Sequence, residues 1–306
     1  MTATADDPCP FPTRYAALRD RANDAARSGR LPEARELLTR ALELAREHGD
    51  EVLADRAYCN LAAVEIEMGG PLDPYLLRLR EILSGNADAE NCRLAAYNLA
   101  RLYQLRKEHK KGLFYARIAT ERSRQTGRDE WIASSLNLFG ILLLSESLFD
   151  QARDQFEAAV VASGDRDGAL HPAVLDNLGY CRLLEGRMDE GFRCLFRGLR
   201  MVRRQGARWW EAQFHVTLTF GYLEIGRWKR ALAHGLEALA RGEEVGDQLA
   251  VKNALFLLGE AANLAGDDAG AHDYFTHLQR RFFPDQGFLP DFLVAVDVRR
   301  LINLKA

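Results

Sequence analysis

The stretch PAVLDNLGYCRLLEGRMDEGFRCLFRGLRMV, residues 172–202, decides the fold. Its apolar residues Leu175, Leu178, Cys181, Leu183 and Leu184 precede Glu185-Gly186-Arg187, and Met188, Phe192, Leu195, Phe196, Leu199 and Val202 follow. Spacings of three and four dominate, and there is no alternation of strand length, so the stretch reads as two amphipathic helices joined by a tight turn. Gly186 supplies the left-handed stop after the first helix. Pro172 sits where a first helical turn tolerates proline.

The pattern recurs outward from this pair. Turn glycines stand at Gly29, Gly69, Gly186, Gly226 and Gly266, and the period of 40 puts the missing turns near Lys107 and Ser147. A small residue follows each turn: Ala34, Gly112, Ala152, Gly191, Ala231 and Ala271. A third small register lies seven residues on, at Ala41, Ala119, Ala159, Gly198 and Ala238. Two turns apart on one helix face, such residues let a neighbouring helix approach closely. Self-similarity at this period is the mark of a stacked repeat architecture.

Within the first helices the large-small pairs Leu61-Ala62, Leu99-Ala100, Phe139-Gly140, Leu178-Gly179 and Leu258-Gly259 recur, with Tyr103 and Tyr222 on the next turn. This resembles the tetratricopeptide repeat (TPR) family, in its long-period form as in bacterial TPR regulators and kinesin light chain. The resemblance implies an all-α fold, a right-handed α-solenoid of about seven helix pairs. The units are expected at about 13–48, 50–84, 88–126, 128–163, 168–205, 207–245 and 247–283, after a flexible polar leader over 1–12. The second unit departs from the pattern, with Gly69-Gly70-Pro71-Leu72-Asp73-Pro74 putting proline where alanine belongs. A last helix over 288–304 is expected to cap the array, with Phe292, Val296, Leu301 and Leu304 covering its apolar end.

Composition agrees with a folded helical chain: 306 residues, 47% hydrophobic and 28% charged. A net charge of −3 excludes a generally basic nucleic-acid or membrane-surface binder, though not a local patch. Five cysteines (9, 59, 92, 181 and 194) with no C-x-x-C suggest a reducing compartment, and 59, 92, 181 and 194 read as apolar filler. The polar N-terminal stretch is no signal peptide, and the run Ile141–Leu144 is far too short to span a bilayer. A bacterial, cytoplasmic protein is expected, of unknown oligomeric state.

No phosphate-loop, dinucleotide, zinc-protease, EF-hand or nucleophile-elbow motif is present. The seven histidines are scattered; His272 and His277, five apart, do not face one metal, and His215 falls at a core-facing position. No enzyme activity, cofactor or metal is therefore expected. Asn60, Asn98, Asn137 and Asn177, spaced 38, 39 and 40, form a column on the first helices. In TPR proteins that bind extended peptides, asparagine at this place often holds the peptide backbone; an amide carries two donors and an acceptor. The alternative is asparagine kept only by the repeat pattern.

Similarity to the carboxylate-clamp TPR covers Arg19, Asn23 and Asn60 but fails at the third pair, where Leu94 and Asn98 stand. Arg101, one turn beyond Asn98, and Arg19 would select acidic groups, and Tyr180 and Phe220 would anchor apolar ones. The expected function is thus a non-catalytic adaptor, chaperone or scaffold that binds a protein or peptide segment, with acidic character, in a concave groove. One alternative is a ligand-sensing regulator acting on a separate effector. A second is nucleic-acid binding through an Arg-rich face of Arg193, Arg197, Arg200, Arg203, Arg204 and Arg208, next to Trp209-Trp210. A solvated outer helix face is the plainer account of those arginines.

Overall fold

The computed structural model describes residues 10–71, 73–85, 88–164 and 171–305. The leader expected over 1–12 falls mostly outside them. Among the described residues there is no strand and there are fifteen α-helices, of which fourteen make up seven pairs. The pairs are α1 (Phe11–Arg27) with α2 (Leu31–Glu47), α3 (Glu51–Glu67) with α4 (Asp73–Gly85), and α5 (Ala89–Leu105) with α6 (His109–Thr126). Next in chain order come α7 (Asp129–Ser145) and α8 (Phe149–Ala162), and then α9 (Pro172–Leu184) with α10 (Met188–Gln205). The last are α11 (Arg208–Glu224) with α12 (Trp228–Val245) and α13 (Gln248–Leu264) with α14 (Asp268–Phe282). A short α15 (Leu289–Ala295) and a 3-10 turn, Arg299–Leu301, follow. The chain divides into two compact units, Met1–Leu142 and Leu143–Ala306.

Local chemistry sets the helix ends. The Asp50 and Asp88 side chains accept the backbone N–H of Leu53 (2.9 Å) and Asn91 (2.8 Å), and Asp247 accepts those of Leu249 and Ala250. Each satisfies donors that a helix start leaves open. Between the helices of a pair the turn residue is left-handed, and glycine holds it at 29, 69, 186, 226 and 266. At the two places where the period calls for a turn without glycine, Lys107 and Ser147 adopt φ of 57° and 58°.

The small registers are buried: Ala34, Ala41, Ala119, Ala152, Ala159, Ala231, Ala238 and Ala271 have no exposed surface. Gly198 of α10 shows why size matters there, because a Cβ would come within 2.3 Å of the Phe214 ring. Each unit has its own apolar centre. In the first unit one cluster gathers Tyr15, Leu37, Leu38, Leu42 and Leu61, and another gathers Leu79, Ile82, Leu99, Leu102 and Tyr103.

The single capping helix expected over 288–304 is not what forms. Helix α15 stops at Ala295, Val296 turns extended (φ −129°, ψ 117°), and Ile302 is extended as well (φ −99°, ψ 123°). Side chains take up the backbone groups that a longer helix would have used. Asn263 Nδ2 donates to the Val294 carbonyl at 3.0 Å, and the Asp297 carboxylate accepts the Arg299 N–H at 3.1 Å. The Asp297 bond is local and competes directly with helical ones, and the Asn263 bond reaches in from α13. Pro290 and Leu293 are buried as a cover should be, but Leu301, expected to join them, is 82% exposed.

Candidate functional site

In the first unit two of the predicted groove residues, Asn98 and Arg101, bond to the neighbouring first helix. Asn98 is buried, and its Nδ2 donates to the Cys59 carbonyl of the preceding first helix at 2.7 Å. One helical stretch earlier, Asn91 Nδ2 donates to the Val52 carbonyl at 2.8 Å while its Oδ1 accepts from Arg56 Nε at 3.1 Å. These amides bond α5 to α3, and Asn98, expected to line a groove, is buried against α3. Arg101 pairs with Glu67, and Arg19 with the adjacent Asp20 at 2.8 Å. Asn23 is exposed and Asn60 half-buried. Asn137 is also half-buried, with its Oδ1 shut away from solvent and unpaired.

The first helices of the second unit, α9, α11 and α13, carry a different arrangement. Asp176, Asn177, Tyr180, Thr217, Phe220, Asn253 and Glu260 all lie on them, and all are buried. Tyr180 and Phe220, the expected anchors, pack ring to ring at 5.5 Å. They are not open to a partner, because residues 297–305 of the same chain lie against this face. The Leu304 N–H donates to Tyr180 Oη at 3.3 Å, and the Leu304 carbonyl accepts from Asn253 Nδ2 at 2.9 Å. Asn303 Nδ2 donates to the Leu144 carbonyl at 2.7 Å. Lys305 Nζ reaches Asp176 Oδ2 at 2.5 Å and Thr217 Oγ1 at 3.0 Å, and the Thr217 hydroxyl donates to Asp176 Oδ1 at 2.7 Å.

At the other end of the segment, Arg299 Nε lies 3.3 Å from Glu260 Oε2 and its Nη1 lies 4.0 Å from Glu224. Burial pushes the Glu260 carboxyl up to about 7; the Asp297 charge adds to the rise and Arg299 opposes it. Burial also raises the Tyr180 phenol to about 12, so it stays protonated.

On the outer face, Arg193, Arg200, Arg203, Arg204 and Arg208 are exposed and Arg197 is half-buried. Several are engaged within the chain: Arg193 with the Asp189 carbonyl, Arg208 with Glu244, and Arg203 with Glu211. Arg203 Nη2 also lies 3.3 Å from His215 Nε2. Arginine can only donate, so Nε2 accepts and Nδ1 carries the proton that faces His234 Nδ1 at 3.0 Å. Burial first, then the neighbouring His234 and arginine charges, push His215 down to about 3. It is a neutral core histidine.

Among the described residues no three His, Cys, Asp or Glu side chains gather to hold a metal, and no helix is long and apolar enough to cross a membrane. No protein-family model matches the chain, and no curated protein sequence does. Solved structures do match, at probability 1.00. One is a tetratricopeptide repeat protein from Parabacteroides merdae, 18% identical over 92% of this chain and 98% of that one, TM-score 0.55. The fold is the tetratricopeptide-repeat fold.

Two further TPR-type structures align with it. A Rap protein in complex with competence and sporulation factor is 15% identical over 94% of this chain and 77% of that one, TM-score 0.62. A signal-transduction ATPase with a tetratricopeptide repeat sensor, from Pyrococcus horikoshii, is 17% identical over 92% of this chain and 44% of that one, TM-score 0.61. At these identities the likeness is one of fold.

Asn253, Asn263, Asp176, Thr217 and Glu260 were not singled out from the sequence. Asp176 stands beside the Asn177 of the column, and Thr217 holds the column's place one period later. Asn253 lies one helical turn before the next such place, so a strict 40-residue search passes it by.

Proposed function

We propose that this protein is a non-catalytic scaffold that holds an extended segment of a partner protein against the first helices of its second unit. The observation that carries this reading is the bond from Asn253 Nδ2 to the Leu304 carbonyl, a first-helix amide gripping the main chain of an irregular segment. Main-chain bonds give affinity without regard to side chains, and flanking charged pockets give selectivity. A TPR structure seen in complex with a factor, and another described as a sensor, are consistent with it. A ligand-sensing regulator acting on a separate effector is the specialised form of the same reading, and occupation of the face by the chain itself favours that form. Acidic partners, expected from Arg19 and Arg101, would meet the first unit, since Asp176, Glu224 and Glu260 make the face of the second unit acidic.

The test is co-purification from the native host with three full-length proteins: wild type, Asp176→Lys with Glu260→Lys, and Arg200→Glu with Arg204→Glu. A partner bound by wild type, kept by the outer-face variant and lost by Asp176→Lys with Glu260→Lys supports the reading. Loss only in the outer-face variant, with nucleic acid in the wild-type eluate, replaces it by the Arg-rich patch.

A further inference from the structure

Helix α15 already supplies the apolar cover that the last pair needs, through Pro290 and Leu293. The nine residues after Val296 are held in another way. Leu301 and Ile302 are 82% and 37% exposed, whereas Val298 and Leu304 are buried, at 8% and 2%. Two apolar side chains thus help to hold the segment, and beside them runs a set of polar contacts spread over three successive first helices. The Lys305 side chain, 9% exposed, meets a carboxylate from α9 and a hydroxyl from α11, and its ammonium lies 5.8 Å from the centre of the Tyr180 ring. That is within reach of a cation–π contact. Asp176 is 3% exposed, and Thr217 holds its second oxygen. Six positions earlier Arg299 hydrogen-bonds Asp297 of the segment itself, at 3.0 and 2.6 Å, and also lies 3.3 Å from Glu260 and 4.0 Å from Glu224 on the face. Between them Leu304 gives both its N–H and its carbonyl to side chains of the face.

Desolvating a lysine and an aspartate is costly unless every polar atom is paired, and a cover has no need of it. A site shaped for one ammonium group, one guanidinium and the main chain beside them is how a ligand is selected. We propose that this face is a binding site for an extended basic peptide, with arginine at one position and lysine six positions on. Residues 297–305 occupy it as a built-in competitor. This rests on the scaffold reading above and names the ligand class of the same site.

The probe is a fluorescein-labelled synthetic peptide of sequence DVRRLINLK, copied from residues 297–305, titrated against three full-length proteins. Wild type should bind it weakly, because its own segment fills the site. Arg299→Glu with Lys305→Glu repels that segment from Asp176, Glu224 and Glu260, and should bind the peptide at least tenfold more tightly. Adding Asp176→Asn to that variant, which removes the carboxylate without creating a new pair for residue 305, should weaken binding at least tenfold, and a peptide with glutamate at both basic positions should not bind. Helical circular dichroism and a cooperative melt establish that each variant is folded.

A second measurement uses unaltered protein: excess unlabelled peptide should raise hydrogen exchange at the amides of Leu304 and Lys305. Equal affinity for wild type and the opened variant overturns the competitor. No binding to a folded opened variant, with no change in wild-type exchange, overturns the basic-peptide site. If a host partner is still lost on Asp176→Lys in that case, the scaffold reading stands and only the ligand class was wrong. A dimer of the wild type that dissociates on peptide addition assigns the competitor to a second copy and overturns its action within one chain.

Discussion

The two units use the same chemical device for opposite ends. In the first unit, Asn98 and Asn91 on α5 donate to the main-chain carbonyls Cys59 and Val52 of the neighbouring first helix. In the second, Asn253 and Asn263 on α13 donate to the carbonyls of Leu304 and Val294, which belong to the chain after the last pair. An asparagine amide at a repeat position therefore has no fixed role. It bonds whatever main chain lies within reach, the next helix where the stack is tight, an irregular segment where one is present. The helix carbonyls of the first unit cannot leave without unfolding, whereas the proposed competitor requires that the segment in the second can. Substitutions should separate the two cases.

The largest effect is expected at Asp176. Asp176→Ala leaves Lys305 buried without a counter-charge, a loss of about 3–5 kcal/mol if nothing relaxes. The segment can relax by releasing Lys305 to water, so the loss should appear as exchange of the Leu304 and Lys305 amides by local opening. Global unfolding in urea should move much less. A global loss as large as the local one would break the comparison, because the segment would then be part of the core.

Next come the amides. Asn98→Ala should lower global stability by about 1–3 kcal/mol, the range for losing a buried hydrogen-bond partner, with an unchanged urea m-value. Asn253→Ala should leave the urea midpoint nearly in place and speed exchange at Leu304. Similar midpoints for the two variants would mean that both amides serve the stack.

A smaller, pH-dependent effect belongs to the second unit alone. Burial holds Glu260 at about 7, well above the value for an unfolded chain, so the native state keeps a proton that the unfolded state has lost. Its contribution is complete below the unfolded value and is lost as pH rises through about 7. Stability should thus decline between pH 6.5 and 8, and Glu260→Gln should flatten the slope. His215, held near 3, has the opposite sign: stability falls as pH drops from about 6.5 toward 3. The unfolded imidazole still titrates near 6.5, so this opposes the Glu260 decline at the lower end of the window, and the difference between wild type and Glu260→Gln in urea melts at pH 6.5, 7 and 8 is what isolates the carboxyl. An unchanged slope in Glu260→Gln would remove the carboxyl from the account.

Much of the fold was legible from recurrence. Glycine turns, small registers and large-small pairs all repeat, and each repetition has a packing cause, as Gly198 against Phe214 shows. The candidate site was legible only in part. Spacing found the faces on which Tyr180 and Phe220 lie, but spacing says nothing about what the chain itself places on them. The stretch after Phe288 read as one helix because Phe292, Val296, Leu301 and Leu304 recur at near-helical intervals. What ended the helix was tertiary: Asn263, Tyr180 and Asn253 are distant in sequence, and their bonds to this backbone outweigh its own pattern. The role of Asn98 was hidden for the same reason, since a column of amides looks alike whether it faces a neighbour or a groove.

The smallest expected effect is a control with one site in each unit. Lys107 and Ser147 occupy left-handed turn positions that glycine holds elsewhere, and both side chains are exposed. The left-handed conformation costs an L-residue about 1–2 kcal/mol, while glycine costs about 0.5–1 kcal/mol through the freedom of the unfolded chain. Lys107→Gly and Ser147→Gly should therefore each stabilise the protein by roughly 0.5–1 kcal/mol. Because these turns belong to the stack and not to recognition, the gain should be of one size in both units. Neither substitution should alter exchange at Leu304 or binding of the labelled peptide. A gain confined to Lys107→Gly, with faster exchange at Leu304 in Ser147→Gly, would tie the α7–α8 turn to the segment whose Asn303 bonds the Leu144 carbonyl three residues before it, and would draw the boundary between stack and ligand site differently.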